Sequence, residues 1–144
     1  MPGAFNQIGW CKLQIGGTVD EATRFIEQAI RLSPRDPPTF LWYFRLGTLD
    51  LFRGRTDDGI AWLDKARIAN PGVSYIHGTL AAAYALKGMR ERCATELAEA
   101  QKLSNIFLSL AWLKKVQPYD SPHVQALAEP TLFAGLRLAG MPEE

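Results

Sequence analysis

Residues 43–71 read YFRLGTLDLFRGRTDDGIAWLDKARIANP. An apolar helical pattern runs to about Phe52, Gly54 supplies a turn, and a second pattern carries Leu63 and Ala66 on one face before Asn70 and Pro71 end it. Thr56 stands where a hydroxyl would cap the second helix. Working outward, the same punctuation recurs. Gly17, Gly54 and Gly88 are 37 and 34 residues apart, and Ala29, Ala66 and Ala100 repeat those two steps. A shared period of about 34 residues marks an array of helical hairpins, each burying its apolar face by stacking on its neighbours.

The first unit reads as a helix over about 3–14, a turn at Gly16 and Gly17, and a second helix over 18–32. Thr18 with Glu21 three residues on forms a capping box. Phe25, Ile26, Ala29 and Ile30 share one face, and Pro34 stops the run. The second unit opens at Asp36 and Pro37, a cap followed by the residue best tolerated in a first turn. The three extra residues of the longer step fall in the connection at 35–38, so the helices stay in phase. The third unit runs over 72–86, turns at Gly88 and continues over 89–103. Past Ser104 the period stops. A short apolar helix over 106–116 precedes a turn-rich stretch, 117–122, and then helical pieces reaching Gly140, with a break or kink expected at Pro130.

With 144 residues, the chain is long enough to bury about 68–70% of the surface its unfolded form exposes. Sixteen Lys and Arg against 15 Asp and Glu give a net charge of +1, which supplies no field to gather nucleic acid or steer an anionic substrate. Two cysteines, Cys11 and Cys93, read as reduced thiols of a cytoplasmic protein. No apolar run reaches the ~18 residues of a membrane helix, and the first residues lack the pattern of a secretory signal.

Little in the chain carries chemistry. His77 and His123 have no metal-type spacing with the cysteines, and Gly16 with Gly17 lacks the Lys and Ser/Thr of a phosphate loop. His77 falls where a bulky packing residue is expected, and Cys93 where a small apolar one is. No catalytic, cofactor or metal residue is assigned, and the chain reads as a non-enzyme.

The repeated positions resemble the tetratricopeptide repeat. Tyr43, Leu46, Gly47, Gly54, Leu63, Ala66 and Pro71 match its pattern in the second unit. Leu80, Ala81, Tyr84, Gly88, Leu97 and Ala100 match in the third, and Gly17, Ala22, Ile26, Ala29 and Pro34 in the first, with Trp10 standing where a small residue is usual. Gly59 replaces the usual Ala and should weaken its helix by about 1 kcal/mol. The resemblance implies an all-α fold: a right-handed α-solenoid of three units, about 3–34, 37–71 and 72–105, followed by C-terminal capping helices and a tail over 106–144. Residues 31–37 and 135–144 further resemble the C-terminal repeat region of bacterial signalling proteins. There the repeats follow a class III adenylate or guanylate cyclase domain, or a winged-helix domain.

In this family the first helix of each unit lines a concave face. Aligned by their glycines, the units place Gln7, Cys11 and Gln14, then Leu41, Phe44, Thr48, Leu51 and Phe52, then Tyr75, Thr79, Ala82 and Leu86 along it. Phe44 and Thr48 stand where a receptor for C-terminal carboxylates would carry Lys, Arg or Asn, so that role is disfavoured. The resemblance therefore implies a scaffold or regulatory module binding a protein or peptide segment in an apolar groove, through Leu41, Phe44, Thr48, Leu51, Phe52, Tyr75, Thr79 and Ala82. The alternative is a detached regulatory region of a cyclase or transcriptional regulator. Neither reading involves nucleic acid or a membrane. Phe5, Ile8 and Trp10, uncovered in the first unit, would offer a surface for self-association. Leu132, Phe133 and Leu136 share a face that could enter the groove or cover the open end of the third unit. The need of terminal repeats for cover favours the end.

Overall fold

The computed structural model describes residues 16–32, 39–116 and 119–144. The expected first helix over 3–14, Cys11, Trp10, the Pro34 stop and the Asp36–Pro37 cap all lie outside the described residues. Among the described residues every regular element is helical and there is no strand. Five longer helices come first: α1 (Val19–Leu32), α2 (Thr39–Phe52), α3 (Thr56–Ala69), α4 (Ser74–Leu86) and α5 (Arg90–Leu103). A 3-10 turn (Asn105–Phe107) leads to α6 (Leu110–Leu113). Then come α7 (Pro122–Ala128), a π-helical turn (Glu129–Phe133) and α8 (Ala134–Leu138).

Two kinds of helix alternate. In α1, Ala22, Ile26 and Ala29 are buried while Glu27, Gln28 and Arg31 face water, a one-sided apolar stripe. α3 and α5 show the same narrow stripe, burying Gly59, Leu63 and Ala66 in one and Cys93, Leu97 and Ala100 in the other. By contrast, α2 is buried at Trp42 and throughout Phe44 to Phe52, and α4 throughout Ile76 to Tyr84. A helix apolar on every side must be covered on every side. α2 packs most closely with α3 and α4 with α5, so each inner helix forms a hairpin with the outer helix that follows it. α1 rests on α2, and α3 meets α4.

The two hairpins turn in the same way. Gly54 and Gly88 take φ of +80° and +74°, a left-handed conformation that a side chain would strain. Around them the Arg55 N–H donates to Asp50 O and the Gly54 N–H to Leu51 O, at 2.9 and 3.0 Å. The Met89 and Gly88 N–H groups donate to Tyr84 O and Ala85 O, also at 2.9 and 3.0 Å. This paired motif satisfies carbonyls that a helix end leaves unpaired. It also finishes the turn at Arg55, so Thr56 enters the first turn of α3 and Arg55 stands at the cap without a side-chain bond. The cap expected at Thr56 is thus absent. At α1 the expected hydroxyl cap is present, with Thr18 Oγ1 accepting from the Glu21 N–H at 3.1 Å.

Gly59 has a different role from the one its propensity suggests. A Cβ there would stand 2.9 Å from the Gly47 carbonyl oxygen, and one on Gly47 would stand 2.7 Å from Leu63 Cγ. The α2–α3 hairpin is this close because both positions lack side chains. The cost in helix propensity is exchanged for packing.

Past α5 the expected single apolar helix divides. Ser104 and Ser109 each cap a new turn, their hydroxyls accepting from the Ile106 and Trp112 N–H groups at 3.3 Å. The 3-10 turn packs on α5, and the Phe107 ring occupies the space a Cβ of Gly78 would need on α4. The expected disruption at Pro130 takes the form of the π-helical turn. Proline has no N–H to donate, and the Thr131 hydroxyl bonds back to Leu127 O at 3.1 Å.

α8 and the π-helical turn pack on α4, and the turn also on α2. Val124, Ala128, Leu132, Phe133 and Leu136 are all within 1% of full burial. Gly135 lies so close to the backbone of Ala82 that a Cβ would overlap its carbonyl. This corrects the expectation that Leu132, Phe133 and Leu136 cover the end of the array. On the last hairpin it is Phe107 that packs, against Gly78, and the later segment instead packs on α4 and α2.

Candidate functional site

The inner side of α2 and α4 was the expected contact surface, and its residues come together as a cluster. Leu41, Phe44, Thr48, Leu51 and Phe52 descend α2, while Tyr75, Thr79 and Ala82 descend α4. The Phe44 and Tyr75 rings meet across the two helices, tilted by 59° with centroids 4.7 Å apart. Aromatic pairs favour such inclined contacts. Thr48 and Thr79 donate their hydroxyl protons to Phe44 O and Tyr75 O at 2.9 and 2.7 Å. Both hydroxyls are thus tied to their own helices.

Phe44, Thr48, Leu51, Phe52, Thr79 and Ala82 are buried within this chain, and only Leu41 and Tyr75 keep part of their surface in solvent. Gly135 lies against Ala82 and the Tyr119 hydroxyl near Thr79, so a partner reaches these two side chains only if the C-terminal segment moves. Burial pushes the Tyr75 phenol above its ordinary value, against the opposing pull of the Arg45 guanidinium. Tyr119, from the C-terminal segment, is driven up further still by complete burial. Its hydroxyl lies near Thr79 but falls short of full hydrogen-bond geometry.

His77 is buried on α4, as a packing position should be. Its Nδ1 lies 2.5 Å from Glu96 Oε2 of α5, and its Nε2 lies 2.6 Å from the Pro71 carbonyl oxygen before α4. The ring joins three parts of the chain and has no access for a substrate. His123 reaches the Gly17 carbonyl with Nε2 at 3.0 Å, joining the C-terminal segment to the start of α1. Cys93 is enclosed, and burial raises its thiol above the usual range, which makes it a poor nucleophile.

Arg53 was not singled out by sequence. Its guanidinium donates to Asp50 at 3.1 Å, Asp20 at 3.0 Å and Thr23 at 3.2 Å, clamping α2 to α1. Burial raises the Asp50 carboxyl, and Arg53 is the largest opposing influence. Asp50 three residues before Arg53 is the local signal, a helix-spaced ion pair, whereas the reach back to Asp20 and Thr23 leaves none. A polar cleft of about 380 Å³ opens there, lined by Glu27, Asp50, Arg53, Asp58 and Lys65. Among the described residues, no group of three His, Cys, Asp or Glu side chains could hold a metal ion. Nor is any described helix long and apolar enough to cross a membrane.

No known family model matches this chain, and no curated protein matches it significantly.

Proposed function

We propose that this chain is a right-handed α-solenoid of three tetratricopeptide units acting as a non-enzymatic protein-interaction module. One observation carries the reading. Ala22, Gly59 and Cys93 are buried at matching places in α1, α3 and α5, and so are Ile26, Leu63 and Leu97, and Ala29, Ala66 and Ala100. Each set keeps the 37 and 34 steps of the glycines. Stacking of like on like is what a repeat array requires.

The partner is a protein or peptide segment meeting the inner side at Leu41 and Tyr75, with Phe44, Thr48, Leu51, Phe52, Thr79 and Ala82 beneath them as the support that fixes its shape. Because the C-terminal segment already packs on α4 and α2, the partner lies along the remaining strip. A photo-crosslinking side chain placed at Leu41 or Tyr75, with Ile68 on α3 as the outward control, tests this in cells. Ile68 is 75% exposed. The reading expects a protein joined at positions 41 and 75 and none at 68. Equal yields at all three positions would end it.

A further inference from the structure

One contact recurs in both hairpins with different chemistry. Tyr43 of α2 stacks on Trp62 of α3, with ring centroids 5.7 Å apart and planes 23° from parallel. One step of 34 further on, the same two places hold His77 of α4 and Glu96 of α5. There His77 Nδ1 lies 2.5 Å from Glu96 Oε2. The stack needs no proton between its members, whereas this pair does.

The protons of the pair can be counted. Both ring nitrogens of His77 face acceptors, Nδ1 the Glu96 carboxylate and Nε2 the Pro71 carbonyl oxygen at 2.6 Å. A neutral imidazole has one N–H and one bare lone pair. Wherever that single proton sits, the other nitrogen meets an oxygen lone pair at hydrogen-bond distance, which is repulsive. Two N–H groups satisfy both oxygens. The two side chains are only 7% and 14% exposed, so water does little to relieve a missing bond.

The surroundings decide where the charge lies. Glu96 Oε1 lies 3.9 Å from Arg67 Nε of α3, and Arg67 also donates to Asp64 at 3.2 Å. This guanidinium favours an ionised carboxylate, so the shared proton belongs to the ring. The other charges on the elements packed against α4 are occupied elsewhere. Arg92 of α5 lies over the Tyr84 ring, Asp50 of α2 pairs with Arg53, and Arg45 of α2 acts on the Tyr75 phenol. Glu129 and Arg137 of the C-terminal segment meet each other at 2.6 Å. Glu96 also lines a cleft of about 500 Å³ with Arg67, Glu91 and Arg92, which gives the proton a way out to water.

We propose that His77 and Glu96 form a proton-dependent latch between α4 and α5, closed while the ring carries a proton on each nitrogen and loosened when one leaves. The α2–α3 hairpin, with its aromatic stack, has no such dependence. The latch contributes stability that is whole on the acid side of histidine titration and declines as pH rises and the second proton leaves.

Nuclear magnetic resonance of the full chain with labelled histidine nitrogens reads the ring directly, with His77→Asn assigning the signals. At neutral pH His77 should show two protonated nitrogens, and at higher pH one should become bare. Glu96→Gln supplies an amide that donates to a bare Nδ1, so the variant needs no second proton. Thermal midpoints over a series from about pH 6 to pH 9 should fall in the parent and stay level in Glu96→Gln. His123 is present in both chains, so the difference isolates His77. Hydrogen exchange over the same series should quicken at least about threefold more in α4 and α5 than in α2 and α3, after correction for the intrinsic rate. A bare His77 nitrogen at pH 6, the same pH slope in parent and Glu96→Gln, or equal quickening in both hairpins would overturn the proposal. If Glu96→Gln fails to fold, the ring spectrum and the exchange of the parent still decide it.

Discussion

The α2–α3 and α4–α5 hairpins and the segment from Tyr119 to Gly140 all contribute fully buried side chains to one core, but by different means. In the hairpins, burial is periodic. Gly59 and Cys93, Leu63 and Leu97, and Ala66 and Ala100 repeat at a step of 34, and each hairpin closes through the same pair of bonds about its glycine. In the segment nothing repeats. Its helices are short, it is interrupted by a π-helical turn, and its place is fixed by what remained uncovered. Local pattern makes a hairpin, whereas unsatisfied apolar surface recruits the segment.

The sharpest way to break this comparison is at Phe133. If the segment is core rather than ornament, Phe133→Ala should cost about 3–5 kcal/mol in urea unfolding, as much as a central hairpin residue would. A loss below about 1 kcal/mol would show that the segment lifts away and that the inner side of α2 and α4 opens readily.

Glycine contacts give a finer comparison. Gly59→Ala improves helix propensity by about 1 kcal/mol, yet its Cβ would stand 2.9 Å from a backbone oxygen. The net effect should be a loss of about 1–2 kcal/mol. Gly135→Ala should lose more, because its Cβ overlaps the Ala82 carbonyl outright. Chemical denaturation of the two variants side by side checks the order. A reversed order would mean that α8 slides more easily over α4 than the members of a hairpin slide over each other.

The smallest effect is expected at Tyr119, and it depends on pH. Its hydroxyl is buried without a well-formed bond, so Tyr119→Phe should change stability at neutral pH by less than about 1 kcal/mol. Burial raises the phenols of Tyr75, Tyr84 and Tyr119. The folded chain therefore keeps protons that the unfolded chain releases above about pH 10. The stability that these phenols contribute is whole below that pH and declines as pH climbs beyond it. Tyr119→Phe should make the alkaline decline shallower, as read from thermal midpoints over a pH series. An unchanged slope would mean that Tyr119 reaches solvent.

Much of the candidate site could be read from sequence, though not its accessibility. The spacing of Phe44, Thr48, Tyr75 and Thr79 places them together, since residues four apart share a helix face. What packs on α4 beside them could not be read, because Gly135 of α8 meets Ala82 across 53 residues of chain and no local signal records such a contact. The same holds for the His77 bonds to Glu96 and Pro71, which join residues that the pattern treats separately.

Sequence by itself determined the helices of the two hairpins, their turns at Gly54 and Gly88 and the residues those helices bury, because hydrogen-bond geometry and side-chain period act over a few residues at a time. Only the tertiary structure decided that Gly59 serves a close approach rather than weakening a helix. It also decided that Phe107 packs against Gly78 on the last hairpin and that the segment carrying Leu132, Phe133 and Leu136 packs on α4 and α2. Those outcomes depend on which apolar surfaces remain open once the hairpins have stacked, a quantity that belongs to the assembled shape and not to any stretch of chain.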